Sequence, residues 1–133
     1  MTRTELRKKA LNAIYAILIQ QKAGIDYDPI KVLLGEFDCV ETDEIELFSR
    51  EVFVSALQNQ DEIIAAIQPF LRKWQFDRLN TAAQAILLEA VAEVKYCELS
   101  DKAVVINCAV NFAKEYLDSK DYKYINAVLD KVL

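Results

Sequence analysis

Histidine is absent from the 133 residues of this chain, and its absence removes several chemistries at once. Without imidazole there is no Ser-His or Cys-His nucleophile pair, no histidine acid–base catalysis and no histidine metal ligand. Glycine is down to Gly24 and Gly35, and proline to Pro29 and Pro69. Tight hairpin turns usually need glycine or asparagine, so this scarcity points to helices joined by short loops. It also excludes a Gly-rich phosphate cradle or a dinucleotide fingerprint. The three cysteines, Cys39, Cys97 and Cys108, are odd in number and lack Cys-x-x-Cys spacing. They read as buried, reduced thiols that pack as small hydrophobes, with no metal or cofactor expected. No N-terminal apolar run resembles a signal peptide, and no segment approaches the ~20 apolar residues of a membrane span. The expectation is a soluble cytoplasmic protein with no membrane contact.

Charge of both signs is present but unevenly placed. Residues 1–25 carry Arg3, Arg7, Lys8, Lys9 and Lys22 against Glu5 alone, a net of +4. Residues 26–62 carry eleven acids against Lys31 and Arg50, a net of −9, and the remainder is neutral. A basic end beside an acidic middle suits a localised RNA contact and disfavours broad non-specific binding.

Apolar residues recur at helical intervals almost throughout, and no alternating strand pattern occurs. Thr2 or Thr4 caps a first helix whose apolar face runs from Leu6 through Leu18 to about Gln21, with Gly24 ending it. Asp28-Pro29 predicts an N-cap and first helical position for a short helix that Gly35 stops. Thr42-Asp43-Glu44-Ile45 opens another, and a further helix covers roughly Asn59 to Lys73 with Pro69 near its last turn. Trp74 and Phe76 sit in a connection and are expected to pack on the core. Asn80 or Thr81 caps a helix reaching about Cys97, Ser100 or Asp101 starts the next to about Leu117, and Asp118-Ser119 precedes the last. With no repeat or linker, residues 1–133 read as a single all-α domain, a compact bundle of six or seven helices. Stand-alone catalysis is not expected: Glu89 and Glu93, at i and i+4, read as ordinary helix-surface acids.

The C-terminal third is the most specific part. Asp101-Lys102-Ala103-Val104-Val105-Ile106-Asn107, then Ala109-Val110 and Ala113-Lys114-Glu115-Tyr116, then Lys123-Tyr124-Ile125-Asn126-Ala127-Val128-Leu129-Asp130-Lys131, resemble the C-terminal signature of the NusB family. Arg7-Lys8-Lys9-Ala10-Leu11-Asn12-Ala13-Ile14-Tyr15 is similar to that family's basic start. Pro69-Phe70-Leu71, Trp74, Arg78-Leu79, Ala85-Ile86-Leu87, Ala90 and Glu93 match in between.

The resemblance implies about seven helices in two packed helical subdomains and a role in transcription antitermination. It implies binding to boxA, a single-stranded element of ribosomal RNA leaders, together with NusE, a small-subunit ribosomal protein, within an RNA polymerase antitermination complex. On this chain the implied phosphate contacts are Arg3, Arg7, Lys8 and Lys9, with Lys123 and Tyr124 as a second RNA-facing patch. Tyr15 and Phe70 fall at aromatic positions near the family's RNA surface, where base stacking and core packing both remain open. The implied protein-partner surface comprises Asp77, Arg78 and Gln84. Two other readings stand beside this one: a NusB-like module that binds only protein, and the N-terminal domain of an rRNA cytosine methyltransferase.

Asn107 and Asn126 lie inside helices despite poor helix propensity, and are expected to be partly buried amides that tie neighbouring helices together. Three departures from the family pattern stand out. Thr4 and Glu5 interrupt the basic start, Cys108 replaces a common glutamate, and Ala127 replaces a glycine.

Overall fold

A computed structural model describes residues 1–133. It holds seven α-helices and no strand: α1 (Arg3–Lys22), α2 (Pro29–Phe37), α3 (Leu47–Gln58), α4 (Gln60–Ile67), α5 (Thr81–Val91), α6 (Lys102–Tyr116) and α7 (Asp121–Val132). Thr2 caps α1 in a reciprocal box, its hydroxyl accepting from the Glu5 amide at 3.1 Å while the Glu5 carboxylate reaches the Thr2 backbone. Such a cap satisfies two amides that the first turn leaves open. Asp28 accepts from the amides of Ile30 and Lys31 ahead of Pro29, as its spacing predicts.

Several boundaries differ from the sequence expectation. Gly35 does not stop α2, because Leu34 and Phe37 on either side of it pack against the core. The stop comes at Asp38, which takes a left-handed conformation with φ 53°. Thr42–Glu44 forms only a single 3₁₀ turn, since buried Ile45 is drawn inward on extended backbone before α3 begins. The helix containing Pro69 closes at Ile67 and tightens into a 3₁₀ turn, Gln68–Phe70. The Gln68 amide then bridges the Trp74 carbonyl and the Phe76 amide at 2.8 and 2.9 Å, which closes the following loop. Phe76 is buried as expected, whereas Trp74 is 63% exposed.

Helix α5 is the shared wall of the molecule. Every residue from Ala83 to Val91 is buried, and a π turn, Ala92–Tyr96, extends it. A helix apolar on all sides must be surrounded. Helices α1, α2 and α3 form one group, with α1 and α3 against α5. Helices α6 and α7 form the second on α5, with α4 touching α5 and α7. A pocket between α1 and α6 and a core of thirty buried residues follow from that arrangement. Lys102 of α6 donates to the Asp130 carbonyl at 2.7 Å, and Lys114 lies 5.3 Å from the Tyr122 ring centroid, so α6 and α7 are pinned near both ends. Asn107 and Asn126 take no part in this: both are exposed, and the helix pair is held by apolar packing instead.

Candidate nucleic-acid interface

A pocket of about 390 Å³ opens between α1, the start of α5 and the end of α6. Leu11, Ala85 and Ile86, all buried, form its base, and Tyr15 and Tyr116 stand at its rim, 41% and 42% exposed. The Asn12 amide donates to Glu36 at 3.1 Å and leaves its own oxygen open, while Asn80 accepts from the Ala82 amide at 2.8 Å and leaves its NH₂ open. Two cations flank the aromatic surface. Lys8 lies 5.6 Å from the Tyr116 ring centroid and pairs with Glu115 at 2.8 Å. Lys22 donates to the Thr81 hydroxyl at 2.6 Å. The hydrogen bond to Glu115, then that to Tyr116, raises the Lys8 pKa, so its charge persists through the neutral range. Both partners of that pair are solvent-accessible, and such a pair exchanges readily for a phosphate. Aromatic faces, open amide groups and nearby lysines are the elements that hold unpaired bases on a single-stranded backbone.

The structure distributes the residues singled out in the sequence among three settings. Arg3 is exposed, with its guanidinium 4.1 Å above the Phe48 ring, and Lys9 is half-buried, donating to the Glu36 carbonyl at 3.1 Å. Arg7 is not at the surface. It is 4% exposed and pairs internally with Glu93, so it cannot serve as a phosphate contact in this conformation. Phe70 and Tyr124 lie away from the Tyr15 pocket: the Gln68–Phe70 turn packs against α7, and Tyr124 is half-buried against the main core. Burial, then Asp121, pushes the Tyr124 phenol up to about 12. Lys123 beside it is exposed, as are Asp77 and Arg78 in the 3₁₀ turn Phe76–Arg78. Gln84 is buried instead, donating to the Phe76 carbonyl at 2.6 Å, which makes it a brace for that turn rather than a contact surface. Sequence reading missed Asn12, Asn80, Tyr116 and Lys22. All four are polar or aromatic residues at the edge of an apolar helix face, and only the approach of α6 to α1 shows that they converge.

The sequence profile of the NusB family matches residues 4–133. The chain belongs to the NusB family. It is 32% identical over 134 residues to the transcription antitermination protein NusB of Finegoldia magna, covering 100% of this chain and 94% of that protein. It is also 32% identical to the same-named protein of Bacillus mycoides, covering 99% and 97%. Among solved structures, Thermotoga maritima NusB superimposes with a TM-score of 0.84 at 20% identity, covering 99% of this chain and 90% of that one. The NusB chain from a complex of antitermination factors NusB and NusE with double-stranded RNA gives 0.78 at 23% identity, covering 99% and 97%.

A second polar cluster, around Arg7, lies in the interior of the chain. The Arg7 Nη1 lies 3.6 Å from the Cys108 sulfur, and Nη2 donates to the Ser100 hydroxyl at 3.2 Å. Glu89, fully enclosed, supplies a second carboxylate, and its Oε2 has no hydrogen-bond partner. Burial, then the charge of Glu93, pushes the Glu89 carboxyl well above the ordinary carboxylate range. One guanidinium therefore pairs with Glu93, while burial and the Glu93 charge favour the neutral form of Glu89. The expectation of surface acids at this spacing does not hold, because α5 is enclosed on every side.

Proposed function

We propose that this protein is a transcription antitermination factor that binds boxA RNA of ribosomal RNA leader transcripts together with NusE and supports read-through by RNA polymerase. The pocket between Tyr15 and Tyr116, with Lys8 and Lys22 beside it, carries this reading. It offers stacking surface and positive charge at one place, and nothing in it resembles a reaction centre. Arg3, Lys8, Lys9 and Lys123 are the phosphate contacts under this proposal, and Asp77 and Arg78, next to exposed Trp74, are the NusE-facing group. The names of the relatives support the antitermination role. Removal of Arg7 to the interior and pairing of Lys8 favour an alternative in which the fold binds protein alone.

Fluorescence anisotropy of labelled boxA RNA, against a scrambled RNA and with or without NusE, separates the two. Preferential boxA binding that tightens with NusE is the expected result. Tyr15→Ala or Tyr116→Ala should each weaken it by about tenfold, as loss of a stacked base does, and phenylalanine at either position should restore most of it. Equal weak binding to both RNAs, unchanged by NusE, leaves the protein-binding module as the answer.

A further inference from the structure

The ion pairs of this protein are Arg7–Glu93, Lys8–Glu115 and Lys102–Asp130, and none involves a residue between 26 and 62. That stretch nevertheless holds eleven acids and two bases, so no ion pair within the fold offsets its excess of acid. Of the two bases, Arg50 is engaged through Nε with the Ile45 carbonyl at 3.0 Å, and Lys31 projects into solvent. Within this region a groove of about 490 Å³ runs between α2, α3 and the π turn after α5. Ile30, Leu33, Val54, Tyr96 and Cys97 give it an apolar lining. Glu51 and Arg50 stand on its wall, the Arg50 Nε held by the Ile45 carbonyl, and Thr42 on its edge is followed and preceded in the chain by Asp43 and Glu41, which give the surroundings their excess of acid. Val40 and Leu47 nearby are 80% and 58% exposed.

We propose that this groove docks a basic segment of a protein partner, which inserts one aliphatic or aromatic side chain between Ile30, Val54 and Tyr96 and sets lysines or arginines against the surrounding carboxylates. The charge selects the occupant. Nucleic acid and anionic membranes carry the same sign as the rim and are repelled, as is an acidic peptide. A second copy of this chain is a poorer fit, because it carries the same net charge of −5 and the same acidic stretch. The apolar lining supplies what charge alone lacks, a pocket that fixes one anchor and hence the register of the bound segment. The groove shares no lining residue with the Tyr15–Tyr116 pocket, so the inference stands apart from the RNA reading.

The test uses the full chain, ¹⁵N-labelled, titrated with a short synthetic peptide in which lysines and arginines flank a central Leu-Trp. Saturable amide shifts confined to α2, α3 and the residues around Cys97 are expected. Replacing Leu-Trp by Ser-Ser, or introducing Glu51→Lys on the exposed rim, should each weaken binding at least about fivefold, while boxA binding of E51K stays at its unsubstituted level. Val54→Arg is a second variant with the same expected loss, and its NMR spectrum reports directly whether it is folded. Two results overturn the proposal. One is equal binding of the serine peptide with shifts spread over the acidic surface, which is diffuse electrostatics. The other is concentration-dependent self-association that E51K abolishes, which makes a second copy the occupant.

Discussion

Arg7 on α1 donates through Nε to both carboxylate oxygens of Glu93, at 2.9 and 3.0 Å, although the two lie 86 positions apart in the chain. The pair is sealed from solvent and joins α1 to the π turn that extends α5. An arginine at the most basic end of the sequence thus acts as an internal tie, and its neighbours Arg3, Lys8 and Lys9 inherit their positions from it.

Arg7→Ala strands the Glu93 charge in the interior, so it should cost about 3–5 kcal/mol of stability, the usual penalty for breaking a buried pair from one side. Arg3→Ala removes only an exposed cation above Phe48 and should change stability by less than about 1 kcal/mol. Chemical denaturation separates the two. In RNA titrations Arg3→Ala should lower boxA affinity while the protein remains folded; an unchanged affinity removes Arg3 from the interface.

Glu89 gives the fold a pH dependence of definite sign. Its pKa is raised in the folded state, so the native protein holds a proton that the unfolded chain has released above the ordinary carboxylate range. Stability is therefore highest at the acid side of that window and falls as pH climbs toward the raised value. Glu89→Gln, which mimics the neutral acid, should flatten the profile above the ordinary carboxylate range and raise the melting temperature most at the alkaline end. A parallel profile for the wild type and Glu89→Gln would mean that Glu89 is ionised.

Cys108 and Glu89 form a second testable relationship, since both lie beside the Arg7–Glu93 pair. Cys108→Glu alone brings a third carboxyl group to one guanidinium and should destabilise the protein by about 2–4 kcal/mol. Adding Glu89→Leu should recover most of the loss, with a coupling energy of about 1–3 kcal/mol in a double-mutant cycle. Additive effects would show that the two positions do not share the Arg7 charge.

Much of this protein is written locally. Thr2 with Glu5, Asp28 with Pro29 and Asn80 ahead of Thr81 mark helix starts through contacts within three residues; the sequence places the second directly and narrows the others to Thr2 or Thr4 and to Asn80 or Thr81. The apolar spacing of α1 assigns Leu6 through Leu18 to its inward face because period and burial coincide. The C-terminal motif names the family for a similar reason, as order and spacing survive in a linear reading.

What the sequence could not decide is which polar side chains lie inside and which surfaces meet. Arg7 looked like a phosphate contact and Glu93 like a surface acid because each was judged on its own helix. They are buried because α1 and α5 bring opposite charges together across 86 residues, and only mutual neutralisation makes that burial tolerable. Asn107 and Asn126 looked internal for their rarity in helices, yet packing between α6 and α7 uses Val105, Ala109, Ile125 and Leu129 and leaves the amides outside. Tyr15 and Tyr116 become one site only when α6 folds back beside α1. Helix formation depends on neighbours in the chain and is fixed by sequence; charge burial and pocket formation depend on neighbours in space, which tertiary structure alone supplies.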